Sequence, residues 1–357
     1  MQESPLFHRA PTRGLSPQQR KLLSRVSRSF DLSIRLLPPA VQGPVAIGYL
    51  LARATDTVAD TSTLPLPERQ VLLEVLSSAI AQDRPNEKTQ YQLARLTRQF
   101  AAQQSQPHER ALMQALPECL PLLATLAESD RGLVRKVLAL ITQGQALDMT
   151  RFGNGLQALN TEQELDHYTW LVAGCVGEFW TDLCIQHLPD FSCLPADEML
   201  PLARQYGMGL QRLNILRDAH EDLAAGRCYW PRETLSTAGL TPSMLAELAN
   251  TGHAENLQRI APLYDAWLDH THSQLAAGMR YAMALKPWRL RLASALPALI
   301  GAKTLALLRE KGPLSLTTHI KMSRRDLRGL LWQVALGWGS PARLGHLFEK
   351  LSSATTR

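Results

Sequence analysis

An acidic pattern at helical spacing contains residues that could do chemistry in this 357-residue chain. Tyr49, Arg53, Asp56 and Asp60 recur every three or four residues, so on a helix they form one stripe. The residues between them are mainly apolar, and carboxylates on a buried helix are costly unless they have partners. Two carboxylates one turn apart suit a hard cation such as Mg²⁺. The alternative is a pair of exposed aspartates bound to neighbouring arginines.

A second acidic pattern repeats this spacing further along the chain. Asn214, Asp218 and Asp222 are separated by four residues each and again share one helix face. Gly226 and a later Trp-Pro pair predict that the helix ends here. Arg227 then lies just beyond the carboxylates.

Arginines accompany both patterns. Arg217 lies one position before the nearest aspartate and can pair with Glu221 on the next turn. Two such helices facing each other would form an acidic mouth that divalent ions neutralise and a diphosphate fills. Arg53, Arg217 and Arg227 can contact phosphate oxygens through forked hydrogen bonds. Neither a P-loop nor a strand-led dinucleotide glycine motif is present.

Composition indicates a soluble globular protein with a reduced interior. Hydrophobic residues make up 45% of the chain, charged residues 20%, and the net charge is +6. No Lys/Arg-rich block supports nucleic-acid binding. The five cysteines are scattered without metal-site or C-x-x-C spacing, which favours free thiols and a cytoplasmic location.

The hydropathy pattern predicts no membrane span. The N-terminus lacks the apolar core of a signal peptide. The apolar stretch Leu292–Ala302 is well short of the ~20 residues that a spanning helix needs. We therefore expect a soluble protein that can still contact the inner face of a membrane peripherally.

Helical periodicity recurs along most of the chain and strand-like alternation is nearly absent, which predicts an all-α fold. We expect one helical domain over 16–351 between tails at 1–15 and 352–357. Prolines at 117, 121 and 297 predict kinks or breaks. The predicted helices are Pro17–Ser27, Gly43–Ala59, Pro67–Ala81, Lys88–Gln104, Glu109–Ala127, Leu133–Arg151, Glu162–Gln186, Pro195–Ala225, Ala254–Ala284, Arg289–Glu310, Ser323–Gly337 and Pro341–Leu351.

Both acidic patterns resemble the aspartate-rich motifs of the squalene/phytoene synthase family. D-T-V-A-D at Asp56–Asp60 is similar to the first motif, and N-I-L-R-D-A-H-E-D at Asn214–Asp222 to the second. Ser27–Phe30 resembles the family's diphosphate-contacting turn, and Tyr168–Gly177 its Y-x-x-x-V-A-G-x-V-G motif. The resemblance covers about residues 20–350, with the motifs in the family's order.

The resemblance implies the isoprenoid synthase fold, with helices around a central apolar cavity, and head-to-head condensation of two isoprenoid diphosphates through a cyclopropyl diphosphate. Tyr168 would assist the proton transfer of the first half-reaction. The cavity would hold the carbocation away from water. The metal ligands implied for Mg²⁺ are Asp56, Asp60, Asn214, Asp218 and Asp222, and the diphosphate contacts are Ser29, Tyr49, Arg53, Arg217 and Arg227.

Two features in the C-terminal part of the chain resemble the squalene-forming branch of the family, in which NADPH reduces the intermediate. Gly226–Pro231 is similar to that branch's G-R-x-F-W-P, with Tyr229 in place of the usual Phe. His319–Arg325 resembles its basic strip, which implies NADPH contacts by Lys321 and Arg324. The alternatives are a solvated basic helix start, a phytoene or dehydrosqualene synthase without reduction, and a non-catalytic assembly factor of the same fold. Donors of C15 are favoured, and donors of C20 remain open.

Overall fold

The computed structural model describes residues 15–27, 30–61, 64–83, 85–153, 155–252, 254–336 and 339–353. These residues are almost entirely helical. The α-helices are α1 (Pro17–Ser27), α2 (Phe30–Leu36), α3 (Pro39–Asp60), α4 (Leu66–Ala81), α5 (Glu87–Gln103), α6 (Pro107–Cys119), α7 (Glu128–Arg151), α8 (Glu162–Thr169), α9 (Cys175–His187), α10 (Ala196–Ala224), α11 (Arg232–Thr237), α12 (Pro242–Thr251), α13 (Ala254–Ala284), α14 (Trp288–Lys311), α15 (Arg324–Leu336) and α16 (Pro341–Ser352).

The first of two compact units comprises the chain up to Thr142 together with Asp182–Pro189. Its helix α3 begins at a proline, which is favourable in the first turn because the missing N–H has no partner there anyway. One side of α3 is completely apolar: Leu50, Leu51, Ala54 and Val58 are at most 1% exposed. Burial of this side against α4 and α6 fixes which residues of α3 remain accessible.

The second unit comprises Gln143–Thr181 and Asp190–Arg357. Its core is built around α10, α13 and α14, which pack closely on one another. Gly209 of α10 makes part of this possible, because a Cβ atom there would lie 2.6 Å from the Cβ of Gln274. The buried aromatic side chains Trp230, Tyr264 and Trp267 stack in the same core.

A π-helical segment, Trp170–Gly174, separates α8 from α9. A π-turn of this kind widens the helix by one residue and is frequent at functional sites. Next to it the helices approach unusually closely, since a Cβ on Gly177 would lie 2.1 Å from the carbonyl oxygen of Ala203. This glycine therefore serves close helix packing.

Two strands of two residues each form a parallel pair, β1 (Gln157–Ala158) and β2 (Arg227–Cys228). Gly226 precedes β2 with a φ of +80°, and a Cβ there would lie 2.8 Å from the carbonyl oxygen of Gly155. Only glycine satisfies both the left-handed backbone and this close approach. The turn thus sets the position of Arg227 after the end of α10.

The all-α prediction is confirmed, with some differences in detail. Helices α2, α11 and α12 and the strand pair were not predicted. The predicted helix over 109–127 ends at Cys119 and continues as the 3-10 segment Leu120–Thr125, where Pro121 removes a donor. In contrast, α14 runs through Pro297 without a break. The single-domain prediction for 16–351 stays a prediction.

The cysteines and one long apolar helix bear on the expected free thiols and on the expected lack of a membrane span. All five cysteines are free, and four of them are buried. Among the described residues, one helical stretch, Trp288–Thr317, has the length and composition of a membrane span, and it is longer than the stretch singled out from the sequence. However, 72% of its apolar window is buried inside the protein, as in the core helix of a soluble protein.

Candidate functional site

The first acidic pattern lies on α3 as the spacing predicted. Tyr49, Arg53 and Asp56 are half-buried and Asp60 is exposed, while the apolar residues between them face the core. The ring of Tyr49 stacks on Phe30 at a centroid distance of 5.3 Å. One stripe of α3 therefore carries a phenol, a guanidinium and two carboxylates on its accessible side.

Arg53 is held between two carboxylates. Its guanidinium donates to Asp56 on the same helix and, through Nη2, to Oε1 of Glu109 on α6 at 2.9 Å. Burial tends to lower the pKa of Arg53, but the charges of Asp56 and Glu109 outweigh it and raise that pKa. The contact with Glu109 was not predicted from the sequence. The available signal was the need of a half-buried arginine for more than one acceptor.

The protein environment opposes the negative charge on Asp56. Loss of hydration on burial raises its pKa first, and the neighbouring carboxylate of Asp60 raises it further, to about 7, although Arg53 acts in the opposite direction. The arginine contact therefore compensates the acidic stripe only in part. Additional positive charge at this position would stabilise the ionised form.

The second acidic pattern lies on α10, again with its members accessible between buried apolar residues. Asn214, Asp218 and Asp222 are half-buried, whereas Ile215 and Leu216 next to them are at most 3% exposed. The amide of Asn214 donates only a long 3.5 Å bond to Gln211, so its carbonyl oxygen remains a usable ligand.

Each aspartate of the second acidic pattern is paired with an arginine. Arg217 donates through Nε to Asp218 at 2.8 Å and reaches the second carboxylate oxygen with Nη2. This differs from the suggested pairing of Arg217 with Glu221, because the fork fits both oxygens of one carboxylate. Arg227 donates to Oδ1 of Asp222 from Nε at 3.0 Å and from Nη2 at 2.7 Å.

Asp222 resembles Asp56 in its electrostatics. Burial raises the pKa of Asp222 to about 6, against the lowering effect of Arg227 and with help from Asp218 and Asp148. The same attraction to Asp222 raises the pKa of Arg227 despite its burial. Both units therefore present an under-compensated carboxylate beside a permanently charged guanidinium.

The basic strip that follows α14 starts next to the second acidic pattern. His319 Nδ1 lies 3.4 Å from Oε1 of Glu221 and 3.7 Å from Oδ1 of Asp218. Lys321 and Arg324 follow within five residues and are exposed. The strip and the acidic residues of α10 are thus neighbours within one unit.

Tyr168 lies in an aromatic cluster with a carboxylate behind it. Its ring stacks on Tyr229 at 5.2 Å with an interplanar angle of 23°. Its hydroxyl donates to the Tyr229 hydroxyl at 3.4 Å, and Tyr229 donates to Oδ1 of Asp148 at 2.6 Å. Phe152 packs edge-on against Tyr229 at 5.0 Å.

Within each unit, the expected site residues that the structure describes lie close together. Ser29, an expected diphosphate contact, lies outside the described residues. The family's sequence profile, described as squalene/phytoene synthase, matches residues 23–326 and thus includes every one of the motifs above.

The chain belongs to the squalene/phytoene synthase family.

Curated relatives from the squalene branch of the family are similar to this chain. The squalene synthase of Eremothecium gossypii is 30% identical over 235 residues, which cover 65% of this chain and 50% of that protein. The human squalene synthase is 29% identical over 216 residues, covering 60% and 46%. The probable squalene synthase of Neurospora crassa is 26% identical over 238 residues, covering 64% and 45%. The matches therefore span about half the length of these relatives.

Solved structures of the family share the fold. A complex of TcSQS with a ligand superimposes with a TM-score of 0.72 at 21% identity, covering 95% of this chain and 92% of that one. A dehydrosqualene synthase in complex with a ligand gives 0.57 at 21% identity, covering 89% and 94%. The squalene synthase HpnC of Alicyclobacillus acidocaldarius gives 0.56 at 19% identity, covering 84% and 98%. The isoprenoid synthase fold implied by the motifs is thereby confirmed.

The donor set of this squalene/phytoene synthase family member fits magnesium. Among the described residues, no three His, Cys, Asp or Glu side chains are already grouped as a metal site. Each acidic pattern nevertheless offers two carboxylates one helical turn apart, and Asn214 adds an amide oxygen. Hard oxygen ligands of this type are those that Mg²⁺ prefers, and a cation would supply the positive charge that Asp56 and Asp222 lack.

Proposed function

We propose that this protein condenses two molecules of farnesyl diphosphate head to head, through presqualene diphosphate, and reduces the product to squalene with NADPH. The observation that carries the proposal is the repeated unit of two aspartates and a paired arginine on α3 and again on α10, in a chain of this family. Such a combination of acid and arginine suits a metal–diphosphate ligand better than a bare cation. Membership of the squalene branch is supported by the relatives named above.

Magnesium ions would be held by Asp56 and Asp60 on α3, and by Asn214, Asp218 and Asp222 on α10. When bound, the metal would act as a Lewis acid on the diphosphate leaving group. The residues of the chain have complementary tasks. Arg53, Arg217 and Arg227 would exchange part of their contacts with aspartate for phosphate oxygens, and Tyr49 and Ser29 would add hydroxyl donors.

The first half-reaction joins two donors and releases one diphosphate and one proton, with formation of a cyclopropane ring. In the second half-reaction the remaining diphosphate leaves, the carbocation rearranges, and a hydride from NADPH yields squalene and NADP⁺. Tyr168 would contact the substrate during the first proton transfer. The π-helical segment that follows Tyr168 supports this role, because it shapes the helix at that point.

NADPH would bind at the strip that contains Lys321 and Arg324. Arg324 is the first residue of α15, so its charge and the positive end of the helix act together on an anion. The contact of His319 with Glu221 and Asp218 supports a cofactor position near the second acidic pattern. A phosphate of the cofactor is the group that these side chains would bind.

Peripheral contact with an anionic bilayer would help the release of an oily product. Trp332 on α15 is 70% exposed, and Arg325 and Arg328 on the same helix are exposed as well. Trp288, at the start of α14, is a second partly exposed tryptophan of this unit. An exposed tryptophan beside arginines is typical of helices that lie on a membrane surface.

The proposal is tested by incubating the purified full chain with farnesyl diphosphate and Mg²⁺, with and without NADPH, and identifying the lipids by mass spectrometry. Squalene that forms only with NADPH supports both half-reactions. Presqualene diphosphate or an unreduced C30 product, regardless of NADPH, supports the condensation and rejects the reduction. No product from farnesyl diphosphate or from the C20 donor geranylgeranyl diphosphate rejects the enzymatic function and favours a non-catalytic role.

A further inference from the structure

Tyr229 is the position at which this chain departs from the G-R-x-F-W-P pattern that it otherwise resembles. The extra hydroxyl has found two partners inside the second unit: it accepts from Tyr168 at 3.4 Å and donates to Asp148 at 2.6 Å. Tyr229 itself is only 6% exposed. A buried hydroxyl with a defined donor and a defined acceptor forms a directed chain of hydrogen bonds.

The direction of this chain of hydrogen bonds follows from the groups at its two ends. The 2.6 Å bond has the length of a charge-assisted hydrogen bond, so the hydroxyl proton of Tyr229 points at the carboxylate of Asp148. The oxygen of Tyr229 is then left to accept, and the proton of Tyr168 points at it.

A neutral phenol alone is a poor proton acceptor, because it would become a cation. A base that accepts the phenol's own proton, as the oxygen of the phenol takes up another, avoids this cation. The stacked rings of Tyr168 and Tyr229 and the edge contact of Phe152 hold the hydroxyls in place. The bond of 3.4 Å is long, but catalytic hydrogen bonds commonly shorten once substrate is bound.

We propose that Asp148 and Tyr229 form a proton relay behind Tyr168, with Asp148 as the terminal proton acceptor of the first half-reaction. The inference rests on the proposed function. As the cyclopropane ring closes, a C–H bond of the substrate breaks and its electron pair enters the new C–C bond. The proton passes to the oxygen of Tyr168, the proton of Tyr168 to Tyr229, and that of Tyr229 to Oδ1 of Asp148. Both phenols stay neutral throughout, and the released diphosphate can later remove the proton from the carboxyl.

The test uses Tyr229→Phe, which keeps the ring and its stacking but interrupts the relay, together with Asp148→Asn and the double variant. The matched control is Tyr206→Phe. Tyr206 is a buried tyrosine of the same unit, 8% exposed, whose hydroxyl donates to a backbone carbonyl at Ser294, 2.8 Å away. Formation of presqualene diphosphate is followed under single-turnover conditions and at steady state, and circular dichroism verifies folding.

We expect each relay variant to lower kcat by about 100-fold, the usual contribution of a general base, while KM for farnesyl diphosphate is unchanged. The double variant should be no slower than the slower single variant, because the two residues act as one unit. Tyr206→Phe should retain its rate. If Asp148→Asn does not fold, the split between kcat and KM in Tyr229→Phe decides.

Unchanged kcat in Tyr229→Phe, additive losses in the double variant, or an equal loss in Tyr206→Phe would overturn the relay. These outcomes differ from failure of the proposed function. Wild-type protein that forms no cyclopropyl diphosphate from any donor rejects the function and the relay with it, whereas an active wild type with unaffected relay variants rejects the relay alone.

Discussion

Aspartates and arginines occur as contacting pairs in both acidic patterns. Ion pairs that are partly removed from water contribute little net stability, because desolvation offsets their attraction. The raised pKa values of Asp56 (about 7) and Asp222 (about 6) indicate that these carboxylates are not at sites optimised for folding. Binding of a metal and a diphosphate explains such residues better than stability does.

Asp56→Asn and Asp218→Asn test this interpretation. We expect each substitution to lower the rate of farnesyl diphosphate condensation by at least about 100-fold, because one ligand of the charge-stabilising metal is lost. The thermal midpoint of Asp56→Asn without ligand should stay near that of the wild type, because the substitution removes a charge that burial disfavours and Arg53 keeps Glu109 as an acceptor. Condensation is measured by mass spectrometry and unfolding by circular dichroism.

Two aspartates outside the patterns provide matched controls for these variants. Asp83 pairs with Arg135 in the first unit and Asp269 with Arg309 in the second, and both aspartates are 71% exposed. Asp83→Asn and Asp269→Asn should retain the wild-type rate, because exposed pairs are worth little. Full activity of Asp56→Asn or Asp218→Asn would contradict the metal assignment.

The turn between α10 and β2 determines where Arg227 lies. Gly226→Ala introduces a Cβ atom 2.8 Å from the Gly155 carbonyl oxygen at a φ of +80°. We expect a loss of about 1–3 kcal/mol in unfolding free energy together with a higher KM for farnesyl diphosphate. Urea unfolding and steady-state kinetics measure these two effects.

Gly239→Ala separates backbone strain from the clash at Gly226. Gly239 also has a positive φ, +66°, but nothing lies within 4 Å of a Cβ placed there. The alanine at 239 should lower stability by the strain alone and leave KM unchanged. If Gly226→Ala raised KM no more than Gly239→Ala does, the turn would not position Arg227 for substrate.

The NADPH strip is the second element with a direct test. Lys321→Ala and Arg324→Ala should each raise KM for NADPH by about tenfold or more, because a charge-assisted hydrogen bond to phosphate contributes about 1.5–3 kcal/mol. Accumulation of presqualene diphosphate in the absence of cofactor should be unaffected. KM for NADH, which lacks the 2′-phosphate, is the internal control. An equal rise for NADH and NADPH would indicate that these residues do not bind that phosphate.

The sequence predicted long helices well and short elements poorly, for a physical reason. Apolar residues of α3 and α10 repeat over many turns, and the repeat indicates both the helix and the side that faces the core. Helix α11 has six residues, too few for a repeat. Strands β1 and β2 exist only because Gln157 pairs with Arg227, a contact between distant parts of the chain.

The sequence predicted the spacing of the candidate site residues but not their partners. The types and spacing of the carboxylates on each helix are local properties, so the sequence revealed them. The hydrogen-bond partners of the site residues come from distant parts of the sequence. Glu109 meets Arg53 from another helix, and Asp148 meets Tyr229 from α7. Only the substitution of Tyr for Phe at position 229 hinted at the second contact.

A net charge of +6 favours approach to anionic surfaces, and we expect the contact to be made at the exposed tryptophan of α15. Each arginine near an anionic bilayer contributes about 1 kcal/mol, and an indole ring adds burial at the headgroup level. We expect the protein to sediment with phosphatidylglycerol vesicles but not with phosphatidylcholine vesicles, and the binding to weaken as salt increases.

Trp332→Ala and Arg328→Glu should each reduce this sedimentation several-fold while condensation of soluble donors continues, since neither residue belongs to the acidic patterns. Tyr91→Ala is the matched control, because Tyr91 on α5 is 71% exposed, close to the 70% of Trp332. Arg95 and Arg98 lie near Tyr91 on the same helix, so charge alone does not distinguish the two helices. If Tyr91→Ala abolished vesicle binding and Trp332→Ala did not, α5 would be the contact surface. Binding to both vesicle types alike would contradict an electrostatic contact at α15.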